Sequence, residues 1–126
     1  MEYLRAVQLV VVDDNPNIRR SYSAALASEG YIVHQACSAD EALDFLKAKS
    51  SSIDLVLTDV EMSGSMNGLA LANLIGSRWP KIRLIVSSGR VHPSADDLPA
   101  GARFLPKPNT AAMLMRAVSM LLTNDR

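Results

Sequence analysis

The sequence predicts an α/β domain built on a parallel β-sheet with helices on both faces. Three observations predict it. Short apolar runs alternate with helical patterns five times along 126 residues. Residues 53–59, Ile-Asp-Leu-Val-Leu-Thr-Asp, carry apolar side chains on both faces of an extended chain, as a strand covered on both sides requires. Carboxylates close two of the runs, Asp13-Asp14 and Asp59, at the strand ends where open parallel sheets place their ligands.

Taken in order, residues 8–12 form a short β-branched strand ending in Asp13-Asp14. Asn15 caps the next helix and Pro16 suits its first turn. Ile18, Tyr22, Ala25 and Leu26 share one face of that helix, and Gly30 stops it. Residues 31–37 alternate loosely, as an edge strand does. Ser38-Ala39-Asp40-Glu41 fits a capping box, and Ala42, Leu43, Phe45 and Leu46 form the apolar side of the second helix. Ser50-Ser51-Ser52 turns the chain into the Asp59 strand. A loop of small residues, 61–68, leads to a helix with Leu69, Leu71, Ala72 and Ile75 on one face. Trp79-Pro80 breaks it, at the end of the sheet away from Asp59.

Residues 82–88 form the fourth strand, closing in Ser87-Ser88-Gly89. Pro93 and Pro99 bracket residues 94–98, so the fourth helix is held to a turn or two. Residues 102–105 form the last strand, ending at Pro106-Lys107-Pro108. Asn109-Thr110 caps the final helix, whose buried side is expected to carry Met113, Leu114, Ala117, Val118, Leu121 and Leu122. Met115 is the methionine there with a chance of facing a partner. Crossovers of this length give right-handed βαβ units. The expected architecture is a flavodoxin-like (βα)5 doubly wound sheet of strand order 2-1-3-4-5, with a shortened fourth helix. That order brings Asp13, Asp14 and Asp59 to one edge, joined by Ser87 and Lys107.

Composition narrows the function. The length and the 48% apolar content fit one globular domain, residues 1–126, with no output domain after Leu122. Thirteen basic residues balance thirteen acidic ones, so bulk charge argues for neither a nucleic-acid nor a membrane-surface partner. No apolar run reaches the roughly 20 residues of a membrane span, and residues 1–5 lack the layout of a signal peptide. The single Cys37 excludes an intramolecular disulfide and fits a reducing, cytoplasmic setting. It reads as an inert, half-buried small hydrophobe. His34 and His92 read as a surface strand residue and a loop residue without a role.

Three carboxylates converging with one ammonium leave two uncompensated negative charges. Like charges at close range destabilise a fold unless a cation binds. Carboxylates, backbone carbonyls and water are hard oxygen ligands, which points to Mg²⁺, with Mn²⁺ as a substitute. No His or Cys stands there to suggest zinc. A carboxylate beside a bound cation, a lysine and a hydroxyl suits phosphoryl transfer, with Asp59 as nucleophile. Each feature has a plainer explanation, as a helix cap, a strand exit or a solvated lysine; the combination is what carries the reading.

In this order and strand context, Asp13-Asp14, Asp59, Ser87 and Lys107-Pro108 resemble the receiver domain of two-component response regulators, over essentially the whole chain. The resemblance implies that Asp59 is the phosphoacceptor. It implies that Asp13, Asp14, Asp59 and the Glu61 backbone carbonyl hold Mg²⁺, and that Lys107 partners the phosphoryl group. Ser87 is then the switch hydroxyl, Phe104 the aromatic that moves with it, and Lys107-Pro108 a cis peptide. It also implies a histidine kinase or histidine phosphotransfer protein as donor, and a downstream protein of unknown identity. Two departures stand out. Ser63 occupies a position where the family usually has proline, and the following loop is one residue longer than in the chemotaxis regulator. Two other functions fit less of the pattern. One is a pseudo-receiver that binds partners without phosphate. The other is a haloacid-dehalogenase-like phosphatase, which would want an aspartate where Glu61 stands. A flavin-binding flavodoxin lacks its phosphate loop.

Overall fold

The computed structural model of the chain describes residues 6–123. The readings of residues 1–5 and of the last three residues of the tail lie outside the described residues. Five parallel strands, β1 (Gln8–Val12), β2 (Ile32–Ala36), β3 (Leu55–Asp59), β4 (Arg83–Ser88) and β5 (Arg103–Pro106), form one sheet in the order β2-β1-β3-β4-β5. The helices are α1 (Pro16–Ser28), α2 (Ala39–Lys49), α3 (Gly68–Arg78) and α4 (Ala111–Thr123).

Alternation along the strands explains the layers. Val10, Val12, Val56, Leu84 and Val86 face one core with residues of α2 and α3. Leu9, Val11, Leu55, Leu57 and Ile85 face the other with Leu26 of α1 and Leu114 and Val118 of α4. Both faces of β1, β3 and β4 are therefore buried, which is why their sequences are continuous apolar runs. β2 is an edge strand and carries exposed Ile32.

The fourth crossover holds no α-helix among the described residues. Between the two prolines it makes a single 3-10 turn, Ala95–Asp97, in which Ser94 and Asp97 form a reciprocal capping box. Leu98 and Ala102 pack against the α2/α3 core in place of a helix.

The local expectations need four corrections. Ser38 does accept from the Glu41 N–H, but the Glu41 carboxylate reaches one residue further back, to the Cys37 N–H, so the capping box is only half made. Cys37 is exposed, not half-buried. Its thiol is held above its ordinary pKa by the Glu41 carboxylate, which keeps it a poor nucleophile. On α4, Met113 is exposed and Met115 packs against the core, the reverse of the expected arrangement; Met120 is exposed as well. Finally, Thr110 alone caps α4, accepting from the Met113 N–H, while Asn109 is used elsewhere.

Candidate functional site

Parallel register sets the site. β1 and β3 are neighbours, so the residues that follow Val12 stand beside Thr58 and Asp59 at the carboxyl edge. Asp59 pairs directly with Ser87 on β4, and Ser88 pairs with Pro106 on β5, which delivers Lys107 to the same edge. Asp13, Asp14 and Asp59 each offer a carboxylate oxygen within 4.8 Å of the others. Lys107 Nζ lies 3.2 Å from Asp59 Oδ1 and 3.8 Å from Asp13 Oδ2. The Lys107-Pro108 peptide is cis.

Asp13 is 2% exposed, and its Oδ1 accepts the Asn15 N–H at 2.9 Å. Burial raises its pKa against the opposing effects of that N–H and of Lys107. Burial also raises Asp59, with Lys107 opposing and Asp13 adding to the rise. On Lys107 the balance is reversed: burial alone would lower its pKa, but Asp59 and Asp13 hold it above the ordinary value. One ammonium shared between two carboxylates leaves the cluster negative.

The donor set fits a hard divalent cation. Asp59 Oδ1 is buried, and the Lys107 ammonium at 3.2 Å is the group that faces it. One ammonium cannot neutralise three converging carboxylates, and hard oxygen donors of this kind suit a divalent ion. Asp13, Asp14 and Asp59 would hold such an ion. The Glu61 carboxylate is not among them. It accepts from the Ser88 hydroxyl and from the Val91 N–H, so of Glu61 only the backbone carbonyl is left for that role.

Ser87 is 1% exposed beside Asp59. Asn109 Nδ2 reaches Ser87 Oγ at 3.5 Å and the Pro106 carbonyl at 3.1 Å, and Asn109 Oδ1 accepts from the Tyr22 hydroxyl of α1 at 3.0 Å. Phe104 is half-buried and meets exposed His92 edge-on at 5.5 Å. Ser87, Lys107 and the three aspartates are thus brought together, while Phe104 stands aside, against the fourth crossover.

The contacts of five residues that matter here were not read from the sequence, although Ser63, Ser88 and Asn109 had been named there. Arg19 donates to the Asp13 backbone carbonyl at 3.0 Å and adds a cation near the cluster. Its place four residues after Asn15, on the first helical turn, was the available signal. Asn109 looked like half of a cap. Ser63 donates to Asp14 through its N–H and its hydroxyl. Ser88, fully buried, ties the end of β4 to Glu61. Gly68 begins α3 against the back of the site: a Cβ there would stand 1.7 Å from the Asp59 carbonyl oxygen. The tight loop after an acidic strand end hinted at that close approach.

Comparison with known proteins agrees with this geometry. Residues 9–119 match the model of the response regulator receiver domain. The chain is 35% identical over 117 residues to the sensor kinase CckA of Brucella abortus, covering 90% of this chain and 12% of that protein. It is 31% identical over 121 residues to a putative two-component response regulator of Arabidopsis thaliana, covering 95% and 20% respectively. The chain therefore spans a minor part of either relative. Among solved structures, a response regulator receiver protein from Sinorhizobium medicae superposes with a TM-score of 0.87 at 28% identity, over 98% of this chain and all of that one. The receiver domain of the hybrid histidine kinase CckA gives 0.80 at 27% identity, over 91% and 98%. With the family match spanning nearly the whole chain, this protein belongs to the response regulator receiver domain family and is a two-component signalling receiver.

Proposed function

We propose that Asp59 accepts a phosphoryl group from the phospho-histidine of a histidine kinase or a histidine phosphotransfer protein, and that the product switches the chain's behaviour toward a downstream protein. The observation that carries this reading is the convergence at Asp59: a buried carboxylate at a strand end, 3.2 Å from the Lys107 ammonium and grouped with the Asp13 and Asp14 carboxylates. A carboxylate in such a setting can act as the nucleophile toward phosphorus. The bond from phosphorus to the donor imidazole nitrogen breaks, its electron pair stays on the imidazole, and an acyl phosphate forms on Asp59. Mg²⁺, or Mn²⁺ in its place, would supply charge neutralisation for the phosphoryl oxygens.

Lys107, already paired with Asp59, is placed to follow the negative charge onto the phosphoryl group. Ser87, paired with Asp59 in register, then donates its hydroxyl to a phosphoryl oxygen and gives up its long contact with Asn109. That bond exists only in the phosphorylated state, so it biases the exit of β4 between two arrangements. Phe104, half-buried beside His92, is the aromatic ring free to follow. Glu61 turns its carboxylate to β4, which supports a phosphoacceptor over a phosphatase needing an acid at that position. Among the described residues no helix is long and apolar enough to cross a membrane.

The test is the intact mass of the wild type and of Asp59→Asn after exposure to acetyl phosphate, with and without Mg²⁺. One added phosphoryl group is expected, dependent on both Mg²⁺ and Asp59. Labelling that persists in Asp59→Asn would overturn the assignment.

A further inference from the structure

The three carboxylates of the cluster are held in different ways. Asp59 ends a strand and is buried, and Asp13 is buried and bonded to the Asn15 N–H two residues on. Asp14 is exposed, so neither burial nor its own turn fixes its side chain. It is held instead from across the edge of the sheet. The Ser63 N–H reaches Asp14 Oδ2 at 3.1 Å and the Ser63 hydroxyl reaches the same oxygen at 3.3 Å. Both bonds fall on Oδ2, which leaves Oδ1 free of the loop.

Ser63 in turn is fixed from both sides. Two residues before it, Glu61 is anchored on Ser88 and Val91. Two residues after it, the Ser65 hydroxyl is anchored on the Asp40 carboxylate at 2.9 and 3.0 Å. A donor pair on a pinned loop restricts a carboxylate that would otherwise sample several rotamers.

We propose that Ser63 is a positioning residue for the cation: its N–H and hydroxyl together pre-orient Asp14, so that the site binds a divalent ion without first ordering that side chain. The inference rests on the cation reading of the cluster and adds a residue to it. The backbone N–H is essential to the device. Proline, which the family usually carries here, has no N–H to give. Restoring the family's residue should therefore weaken cation binding in this chain.

The experiment is calorimetric titration of the full chain with MgCl₂, for the wild type, Ser63→Ala, Ser63→Pro, Asp14→Asn and the double variant Asp14→Asn/Ser63→Ala, alongside thermal unfolding of each in EDTA. Residues that orient metal ligands typically change affinity by about 10–100-fold when lost. Ser63→Pro is expected to weaken Mg²⁺ binding by about tenfold. Ser63→Ala, which keeps the N–H, should weaken it by roughly two- to threefold. In the Asp14→Asn background Ser63→Ala should have no further effect, and unfolding in EDTA should be unchanged for Ser63→Ala. Wild-type affinity in both Ser63 variants overturns the positioning role and leaves the cation reading standing. Tighter binding in them also overturns it, since the bond would then compete with the ion. A loss that matches a drop in metal-free stability makes Ser63 merely structural and overturns it too. No saturable binding by the wild type overturns both readings.

Discussion

Two connections depart from the family's usual pattern, and the structure treats them differently. The loop from β3 to α3 carries no helix or strand of its own, yet each of its ends and its middle is tied to something fixed. Glu61 holds Ser88 and Val91, Ser63 holds Asp14, Ser65 holds Asp40, and Asn67 caps α3 through the Ala70 N–H. The crossover from β4 to β5 loses its helix and keeps one 3-10 turn. It is held by the Asn73 amide on the Asp97 carbonyl, by Pro99 on Gly76, and by Glu61 at its start. The lesson is that loop length and loop order are separate quantities. Short polar side chains can order a longer loop, whereas a segment stripped of its helix rests on fewer ties, polar and apolar together. Glu61 belongs to both regions and joins them.

The largest effect should come from the glycine under the β3–α3 loop, with the glycine under the crossover as its contrast. At Gly68 a methyl group would stand 1.7 Å from the Asp59 carbonyl oxygen, a backbone atom with no room to retreat. Gly68→Ala is expected to cost about 3 kcal/mol, and to move the Asp59 strand end enough to disturb phosphorylation. At Gly76 a methyl group would stand 2.6 Å from Pro99 Cβ, on a segment anchored at few points. There the crossover can shift, and alanine's better helix propensity offsets about 1 kcal/mol. Gly76→Ala should therefore cost no more than about 1 kcal/mol. Urea unfolding of the two variants measures the contrast. Equal costs would mean that the crossover is as rigid as the site loop.

Glu61→Ala tests the join. It removes the acceptor of the buried Ser88 hydroxyl and one of the two acceptors of the Val91 N–H, the other being Ser88 Oγ at 2.9 Å, at a cost of about 1–2 kcal/mol. Val91 amide exchange should accelerate, while exchange in β3 stays slow. Glu61→Gln keeps an acceptor oxygen and should recover most of the protection. If Val91 exchanges at the wild-type rate in Glu61→Ala, the Ser88 hydroxyl alone holds the start of the crossover and Glu61 does not join the two connections.

The same contrast explains what the sequence made legible. The three central strands could be read because a sheet buried on both faces needs unbroken apolar runs, and the site edge because carboxylates ended two of them. Prolines at 93 and 99 were enough to foresee a shortened fourth helix. The tethers were hidden, since Ser63 reaches Asp14 across 49 positions and Tyr22 reaches Asn109 across 87, with no periodicity to mark either. Asn109 was obscured by Thr110, because either residue type caps a helix. On α4, Met113 and Met115 lie two positions apart in an almost wholly apolar helix. Hydrophobicity alone did not say which of them faced the sheet.

The smallest effect is the response to pH, and it should differ in sign between the two regions. In the metal-free protein Asp13 and Asp59 sit above the usual carboxylate range, chiefly through burial. A folded-state pKa above the unfolded one gives stability that is complete below the unfolded value and is lost as pH rises through the folded value. Glu61 goes the other way. Burial opposes its charge, but the Ser88 hydroxyl and the Val91, Gly89 and Arg90 N–H groups outweigh it and lower its pKa. Its contribution is present above the unfolded value and is lost as pH falls through the folded one. Acidification in EDTA should therefore first relieve the site edge and only later release the crossover. Carboxyl ¹³C shifts should show Asp13 and Asp59 taking up protons at higher pH than Glu61. Urea midpoints followed against pH should show a smaller first limb in Asp59→Asn, where Asp13 remains, and should lose the second in Glu61→Gln. Saturating Mg²⁺ should also erase the first limb, because a bound cation favours the ionised carboxylates. If Glu61 protonates before the two aspartates, its bonds to Ser88 and Val91 do not hold it in solution, and the join between the two connections is not electrostatic.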